Sequence, residues 1–465
     1  MPARNRRILW SLSLSLIVPA ALIGCADPIG DSATSAIPAP GSLTSDRQLP
    51  LRPWVPDPQA VPGSDGPARV TETIGLQAAV SRAVEHSPQL KAAFMEIEAR
   101  HGEAAQASYR INPEVSLDIE NFAGTKSKTG FDVAEETLQI SQTIELGDKR
   151  LKRLRSASLE ASVAGWDYEA ARLSVAAKAA DYFVDVLASQ ERITVLDGFI
   201  ATAANTKNAV EAQVKGGKAS PIDLDRSNIV LARAKAQREA EAAKNAASRQ
   251  SLSALWGGGG RALFASVAGK LDKGRSVPSI LQVKSMLDSN PALARWGDEI
   301  GKRYAILDVE HSKSIPDFKV GLGTRVFNED GSAALVASVS VPLQVFDRNE
   351  GNIAAAERRI QRSLYEEQSA RRDMTSALTE IIGALNVAHA QIRAQEDDIL
   401  PSARSAYERT RTGYSEGKFD LLHLLDTQRT LLESQFEAVN ARADFTKAKV
   451  RLDMLTGQGA GSSQE

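Results

Sequence analysis

The sequence carries one pattern twice, about 200 residues apart, and this duplication limits the possible folds more than any other feature. SPQL at 87–90 recurs as NPAL at 290–293, which is 203 residues further on. GK at 217–218 recurs at 417–418, which is 200 residues further on. A period of this length is too long for a solenoid of short repeats. We therefore predict two copies of one domain-sized unit.

Each unit shows the same order of predicted elements, namely a helical segment, a pair of strands and a long helical hairpin. The first unit covers 72–260 and ends in GGGG at 257–260, and the second covers 278–457. The predicted elements are, in chain order, a helical segment at about 72–110, strands at about 114–144, a helical hairpin at about 148–256, a helical segment at about 278–313, strands at about 317–345 and a helical hairpin at about 349–456. The predicted fold is mainly α with a small β part.

Apolar and polar residues alternate in the predicted strands. In the first unit Val115, Leu117 and Ile119 are separated by single polar residues, and the return strand of the second unit is predicted from Ala333 to Val345. A period of two is typical of a strand with one apolar face. A soluble hairpin packed on helices and a strand pair of a membrane barrel both give this pattern, so it leaves both structures open.

The predicted hairpins contain very long helices. No proline occurs at 149–214, and Pro401 is the only one at 353–412. Some 60 helical residues span roughly 90 to 100 Å. We expect Pro401 to kink the second helix without ending it, because the helical pattern resumes at once. Turns are predicted at 216–221 and 413–417, where glycine recurs.

The N-terminal segment has the pattern of a secretory signal peptide. Residues 1–24 combine a basic start, MPARNRR, with an apolar stretch that ends at Cys25. LIGC at this point resembles the bacterial lipobox, which implies a lipid on Cys25 as the first mature residue. An ordinary cleavage site beside a buried free cysteine is the alternative. Residues 25–71 are rich in proline and predict an extended tether, and 458–465 predict a frayed tail.

Composition and motifs argue against several classes of function. The formal net charge of −2 gives no reason to expect nucleic acid as a partner. A single cysteine excludes a disulfide within the chain. The five histidines form no pair at metal-ligand spacing, and no glycine-rich loop is followed by the lysine of a phosphate site. We therefore predict no metal site, no cofactor apart from the lipid, and no enzymatic activity.

The junctions between strand and helix and the tips of the hairpins carry a family resemblance. The junctions are QTIELGDKR at 142–150 and VPLQVFDRNEGNI at 341–353, and the tips are GGKASPIDLDRS at 216–227 and GYSEGKFDLLHLLDTQRTLLES at 413–434. With the doubled unit, these motifs resemble the TolC-type outer-membrane efflux protein family over about 72–457. The junctions are most similar to its heavy-metal cation branch.

This resemblance implies a homotrimer that forms one twelve-stranded β-barrel in the outer membrane of a Gram-negative bacterium. The barrel would continue into a periplasmic α-helical barrel, so that the lipid-anchored chain lies mostly in the periplasm. A physical count agrees, because four predicted strands per chain cannot close a barrel in lipid.

The implied function is a passive exit duct, served by a periplasmic adaptor and an inner-membrane RND-type pump, for heavy-metal cations. A duct of the same fold for drugs or other organic compounds is one alternative. A periplasmic adaptor or structural coiled-coil lipoprotein is the alternative of another class.

Matching the tips to the family residue by residue implies pore or gate positions. They are Asp223 and Asp225 in the first tip and His423 and Asp426 in the second. The spacing of His423 and Asp426 puts both on one helix face. Rings of aspartate in a threefold pore attract cations, and we expect Asp426 to line the constriction. Solvated tip residues, or residues in contacts between tips, are the alternative for each position. Phe419 stands where a basic linking residue can occur in the family.

The junction residues are predicted to cap the long helices. Asp148 precedes the first of them, and Asp347 and Asn349 precede the second. Asp and Asn are preferred at the N-cap, and a carboxylate is favourable near a helix N-terminus. We expect the strand to leave the membrane at 342–346, with Pro342 at its end because proline cannot donate a ladder hydrogen bond.

Overall fold

The computed structural model describes residues 72–274 and 276–457. The predictions for the signal peptide, Cys25, the tether and the tail lie outside these residues. The described chain is mostly helical with two small sheets. The helices are α1 Leu76–His86, α2 Pro88–Ala107, α3 Lys149–Lys215, α4 Pro221–Ala254, α5 Ile280–Lys284, α6 Pro291–Lys313, α7 Glu350–Arg393, α8 Leu400–Ser415 and α9 Leu421–Leu455. The strands are β1 Thr73–Gly75, β2 Glu114–Glu120, β3 Glu135–Ile144, β4 Ser266–Ala268, β5 Phe318–Phe327 and β6 Ala333–Ser340.

The longest helix is α3, and it confirms the prediction of a continuous helix over 149–214. It contains 67 residues, which at the usual rise per residue span about 100 Å. Small buried side chains at Ala176, Ala179 and Ala180 allow neighbouring helices to approach closely. α3 packs against α2, α4, α6 and α9, so it forms the centre of the helical part.

The second long helix is interrupted next to Pro401 and then continues, as predicted. α7 passes into a π-helical turn at Ala394–Ile399, and α8 follows directly from Leu400. Pro401 has no N–H to donate to the preceding turn, and a wider turn relieves the clash of its ring. Gln395 is buried in the π turn and donates to Glu437 of α9 at 2.6 Å. The interruption is thereby joined to the returning helix.

A four-stranded antiparallel sheet joins strands of the two halves in the order β2-β3-β5-β6. Its register aligns one apolar row, made of Val115, Ile140, Leu322 and Ala337. Val115 is 70 % exposed and Leu322 is 59 % exposed. Among the described residues, no helix makes more than marginal contact with this sheet. In the part of the chain that the structure describes, the strand pairs are therefore not packed on helices of the same chain.

The two helical segments that open the units are less continuous than predicted. The segment at 72–110 breaks at Ser87, and the segment at 278–313 breaks at Asn290, each directly before a proline. A residue before proline is pushed toward extended backbone, which ends a helix. Asn290 then caps α6 by accepting the N–H of Ala292 at 2.8 Å. The unpredicted β1 pairs in parallel with β4.

The return strand of the second half is also shorter than predicted. β6 ends at Ser340 rather than at Val345, and its last ladder pair is Lys319 with Ser340. Because β5 begins at Phe318, the chain beyond Ser340 has almost no strand beside it. The segment turns on itself instead of extending the ladder, since the N–H of Val345 donates to the carbonyl of Leu343 at 3.0 Å.

An acidic side chain of α6, Glu299, is buried among basic side chains. Its carboxylate lies 2.8 Å from Lys302 and 2.6 Å from Arg303. Burial raises the pKa of Glu299, but the hydrogen bonds and charges of Lys302 and Arg303 outweigh it and hold the pKa below its ordinary value. Both basic partners belong to α6, so the charged carboxylate stabilises this helix.

We expect Glu299→Gln to lower the free energy of unfolding at pH 7 by about 2 kcal/mol, because Lys302 loses its anion. The folded pKa lies below the unfolded one, so the stabilisation is present above the unfolded pKa and disappears as pH falls through the folded pKa. Melting curves of the variant and the parent should therefore converge in acid. Glu98→Gln, at an exposed position of α2, is the control. A difference between the curves that does not change with pH would contradict the electrostatic explanation.

Candidate functional site

The two helical hairpins turn in the same way at their tips. The N–H groups of Lys218 and Lys418 each donate to the carbonyl five residues earlier, at 2.8 and 2.7 Å. The glycines before them have positive φ angles, 68° at Gly217 and 75° at Gly417. This is the Schellman arrangement, in which glycine adopts the left-handed conformation after a helix. The second turn begins later than predicted, because α8 continues to Ser415.

A capped helix follows each tip. Ser220 accepts the N–H of Ile222 at 3.2 Å, and Asp223 accepts the N–H of Ser220 at 3.4 Å, which forms a capping box. In the second tip, Asp420 accepts the N–H of His423 at 3.0 Å and lies 2.6 Å from its Nδ1. Two of the predicted gate residues, Asp223 and His423, thus take part in the capping contacts.

The cap of α9 is charged over a wide pH range. The N–H of His423, and next its side chain, hold the pKa of Asp420 below the usual aspartate value. Because the folded pKa is lowered, the cap stabilises α9 above the ordinary aspartate pKa and is lost only in stronger acid. The N-terminus of α9 therefore remains capped at neutral pH.

Two of the three gate aspartates lie beside an arginine of their own helix. Asp223 lies 3.8 Å from Arg226, and Asp426 lies 3.4 Å from Arg429. His423 and Asp426 are exposed on α9, and Asp225 is exposed on α4. An exposed arginine neighbour screens a carboxylate only weakly. Whether these side chains line a pore depends on neighbouring copies, so their gate role stays a prediction.

An apolar cluster holds the two tips together. It consists of Val210, Tyr407, Leu421 and Leu424, all of them buried. At its edge Tyr414 donates from its hydroxyl to Gln213 at 2.9 Å, which joins α8 to α3. Burial, and next the negative charge of Asp223, raises the pKa of Tyr414, so the hydroxyl remains a donor. The tips of the two hairpins are one packed unit.

Phe419 lies directly against Gly413. A Cβ atom at Gly413 would lie 2.3 Å from Cδ2 of Phe419, which is far inside van der Waals contact. The position where the family allows a basic linking residue is therefore filled here by an aromatic ring that needs a glycine beneath it. His423 is the next ring, with centroids 6.0 Å apart.

We expect Gly413→Ala to displace the Phe419 ring and to destabilise the second tip by about 1 to 3 kcal/mol. Hydrogen exchange of the amides in the second tip should speed up accordingly. Gly383→Ala is the matched control, because no atom lies within 4 Å of a Cβ there, and alanine favours the helix by up to about 1 kcal/mol. Unchanged exchange in Gly413→Ala would show that the ring relaxes freely.

A groove between α4 and α9 near the tips was not predicted from the sequence. Its volume is about 670 Å³, and Phe199 of α3, Asp426 and Arg429 are among the residues that line it. Ile229 on one wall and Leu422 on the other are 50 % and 56 % exposed. The sequence signal that could have indicated a contact surface is the presence of these apolar residues, Ile229 and Leu422, close to the tip motifs.

The junction residues do not cap the long helices with their side chains, contrary to the prediction. Asp148 and Asn349 stand directly before α3 and α7, but their φ angles are 56° and 63° and neither makes a capping hydrogen bond. A capping side chain requires extended backbone at its own residue. Asp347 instead accepts the N–H of Asn349 at 2.8 Å, and the Asn349 amide donates to the carbonyl and to Oε2 of Glu310, both at 2.8 Å. Asn349, with its left-handed backbone, is thereby anchored to α6.

Asp317, just before β5, connects the first junction to the second half. Its Oδ1 accepts the N–H of Leu146 at 2.9 Å and lies 2.7 Å from the ammonium of Lys149. Lys149 also donates to the carbonyl of Ile315 at 2.7 Å. Gly147 has a φ of 68°, and a Cβ there would lie 2.6 Å from Cδ1 of Ile315. The start of α3 is thus fixed against the chain that enters β5.

No helix in the described ranges is both long and apolar enough to cross a membrane. The residues of 72–274 and 276–457 also bring no three His, Cys, Asp or Glu side chains together in a way that could hold a metal ion.

Known proteins share this sequence pattern over both halves. A family model described as outer membrane efflux protein matches residues 79–258 and 283–458. The chain belongs to the outer membrane efflux protein family. The resemblance carried by the junctions and tips is thereby confirmed. This efflux protein is an outer-membrane channel of a Gram-negative bacterium, and the adaptor and coiled-coil lipoprotein alternatives do not fit the matches.

Individual relatives of this efflux protein agree with the family. The cobalt-zinc-cadmium resistance protein CzcC of Cupriavidus metallidurans is 30 % identical over 394 residues, which cover 84 % of this chain and 92 % of the relative. Crystal structures of CusC align with a TM-score of 0.69 at 15 % identity, over 83 % of this chain and 92 % of that chain. VceC of Vibrio cholerae aligns with a TM-score of 0.68 at 17 % identity, over 83 % and 96 %. At these identities the two structures show the shared fold.

Proposed function

We propose that this outer membrane efflux protein is the exit duct of a tripartite pump for heavy-metal cations. A periplasmic adaptor and an inner-membrane RND-type pump would deliver the cargo and the energy, and the duct itself would conduct passively. The observation that carries this proposal is the exposed apolar face of the four-stranded sheet, which continues through two tight junctions into helices of about 100 Å.

A homotrimer is the assembly that suits this sheet. The sheet has four strands and two free edges, and a free edge is not tolerated in lipid. Three copies would close one twelve-stranded barrel, with the long helices forming a periplasmic α-barrel below it. In this arrangement the two halves of each chain, 72–260 and 278–457, are copies of one unit, which the identical tip turns support. A lipid on Cys25 would add an anchor.

The tips are the surface that we assign to the adaptor. Ile222 in the first turn of α4 is 62 % exposed. Apolar residues left in water at the end of a long coiled coil are suited to a partner's helices.

The cargo is proposed from the relatives and from the tip carboxylates. The relative CzcC is named for resistance to cobalt, zinc and cadmium. Asp426 in threefold repetition would make an anionic ring, which attracts cations. A duct of the same fold for organic compounds would need no such ring.

Sensitivity of cells that lack this protein is the test of the proposal. Deletion in the native host, with pump and adaptor left intact, should raise the accumulation of cobalt, zinc or cadmium and lower the tolerated concentration of these ions. Restoring the gene should reverse both effects, whereas a copy with the strands 114–144 removed should not. Sensitivity to dyes or drugs with unchanged metal tolerance would favour the alternative cargo and overturn this one.

We expect Asp426→Ala to reduce the preference for cations severalfold when purified protein is measured in a planar lipid bilayer, because the ring loses its charges. The effect should shrink in concentrated salt, which screens exposed charges. Asp444→Ala, an exposed aspartate further along the same helix, is the control for charge loss alone. Unchanged conductance and ion selectivity in Asp426→Ala would remove this residue from the constriction.

A further inference from the structure

The four-stranded sheet ends in two free edges, β2 on one side and β6 on the other. Just beyond β6, three apolar residues are largely exposed to solvent, Leu343 by 83 %, Val345 by 63 % and Phe346 by 101 %. An uncovered edge of this kind is a template for another strand. Which strand meets it rests on the proposed function, in which copies of this chain stand side by side.

The two hairpins of the sheet are related by constant shifts in residue number. Ser116 pairs with Gln139 in the first hairpin, and Lys319 pairs with Ser340 in the second. The first strands are thus shifted by 203 residues, from Ser116 to Lys319, and the second strands by 201 residues, from Gln139 to Ser340. The shift of 203 is also the shift between the prolines that precede the two first strands.

A backbone feature gives the second shift independently. Asp148 stands directly before α3 with a φ of 56°, and Asn349 stands directly before α7 with a φ of 63°. The two residues are 201 positions apart. A left-handed non-glycine residue is uncommon, so its recurrence 201 positions further on supports the alignment of the two hairpins independently.

The contact between the hairpins inside the chain supplies a template for contact between copies. β3 pairs with β5, and Thr143 stands opposite Lys319. Adding 201 to 143 gives 344, and subtracting 203 from 319 gives 116, so the equivalent pair between copies is Gln344 opposite Ser116. We propose that β6 continues to Val345 and pairs antiparallel with β2 of the next copy, with Gln344 opposite Ser116 of that copy.

The side chains of the two edges match in this register. Apolar residues meet on one face, in the pairs Val341 with Ile119, Leu343 with Leu117 and Val345 with Val115. On the other face Gln344 meets Ser116 and Pro342 meets Asp118. A slip of one residue would put every apolar side chain opposite a polar one, so the pattern excludes half of all registers.

The backbone groups also face the correct way. Phe327 donates to the carbonyl of Ser332, so these two residues form a hydrogen-bonded pair. In β6 the backbone N–H and C=O groups of even-numbered residues therefore point toward β5, and those of odd-numbered residues point toward the free edge. Asn328 donates to the carbonyl of Ala134, so the backbone groups of odd-numbered residues in β3 point toward β2. These residues pair with even-numbered residues of β2, which leaves the backbone groups of odd-numbered residues in β2 pointing toward the free edge. The register sets odd opposite odd, as a hydrogen-bonded ladder requires. Pro342 is even-numbered, so its missing N–H leaves no gap there.

The pairing also explains why β6 is short in a single chain. Residues 142–144 at the end of β3 lie beyond the partner residues of β2 and are paired only with β5. Their counterparts at 343–345 would be paired only with β2 of the next copy. This segment therefore completes its strand on assembly, which links closure of the sheet to the conformation of the second junction.

Cysteine cross-linking of the full-length protein in membranes tests the register. In Ser116→Cys/Gln344→Cys, the two residues form a non-hydrogen-bonded antiparallel pair with Cα atoms about 4.5 Å apart, within disulfide reach. Mild oxidation should convert most of the protein into covalent dimers and trimers on a denaturing gel, and reduction should return the monomer. Each single variant, with Cys25 kept in place, should give only background.

Two double variants are matched controls. Thr143→Cys/Lys319→Cys places the template pair within one chain, so it should oxidise without any covalent oligomer. Glu114→Cys/Gln344→Cys is two residues out of register on the same face, so it should cross-link far less.

The outcomes separate this inference from the proposed function. Equal or stronger cross-linking of the out-of-register pair overturns the register. A native trimer in detergent without cross-linking of Ser116→Cys/Gln344→Cys, while the template pair oxidises, overturns the pairing and leaves the duct intact. A native monomer overturns the pairing together with the trimeric assembly.

Discussion

Gly323→Ala is expected to keep the four-stranded sheet from forming and to remove the channel from the outer membrane. A Cβ at Gly323 would lie 2.4 Å from the carbonyl oxygen of Leu138 and 2.8 Å from Cα of Gln139. Both atoms belong to the backbone of β3, so they cannot move aside as a flexible side chain would. Separating β3 from β5 costs about 3 kcal/mol or more, because the ladder that joins the halves is lost. Membrane fractionation and bilayer conductance would measure the loss.

The control for Gly323 is a glycine with free space around it. No atom lies within 4 Å of a Cβ at Gly351, in the first turn of α7, and alanine there should be neutral or slightly stabilising. Gly351→Ala should therefore reach the outer membrane and conduct as the parent does. Equal amounts of channel from Gly323→Ala and from the parent would mean that β3 and β5 separate at no cost.

Asp317→Ala is expected to lower the free energy of unfolding by about 2 to 3 kcal/mol, because a charged acceptor with two donors is removed from a half-buried site. The N–H of Leu146 loses its acceptor, and the ammonium of Lys149 keeps only the carbonyl of Ile315. The Lys149 side chain is only 11 % exposed, so water replaces the carboxylate poorly. Thermal unfolding of the purified protein, followed by circular dichroism, would measure the change.

Two further variants isolate the role of the Asp317 contact. Lys149→Met combined with Asp317→Ala should cost less than the sum of the two single changes, since the buried cation is removed with its partner. Asp288→Ala breaks an ion pair with Arg371 of nearly the same length, 2.6 Å. That aspartate side chain is 72 % exposed, so its loss should cost less than about 1 kcal/mol. An equal decrease in the free energy of unfolding for Asp317→Ala and Asp288→Ala would show that the junction contact stabilises the protein no more than an exposed ion pair does.

Features that depend on neighbouring residues alone were predicted well. The long proline-free segment became α3, the Gly-Lys pairs became the two tip turns, and the alternation at Val115, Leu117 and Ile119 became β2. Helix propensity, a left-handed glycine and a period of two each act within a few residues. Such features can be recognised without knowledge of the fold.

The prediction that Asp148 and Asn349 cap the helices was wrong for a tertiary reason. Residue type made both good N-caps, but each has a left-handed backbone. Asn349 uses its amide on Glu310, 39 residues earlier in the chain, and Leu146 is fixed by Asp317, 171 residues later. Contacts at such separations set the backbone of a junction, and no local pattern reveals them.

The gate prediction illustrates the same limit. The tip motifs predicted pore positions at Asp223 and Asp426, but the packing of the tips determines what these side chains touch. Asp223 closes a capping box and Asp426 lies beside Arg429 on the wall of a groove. The groove itself exists only because α4 and α9 both pack against α3.

The sequence by itself determined the family, the long helices, the tip turns and the two-faced strands, because these follow from local propensity and from motifs of a few residues. The tertiary structure decided the order of the sheet, the exposure of its apolar face, the left-handed junctions and the groove at the tips. Each of these depends on residues that lie far apart in the chain, such as Ser116 and Gly323, which both pair with Gln139 of β3. Their geometry is fixed only when the helices and strands pack together.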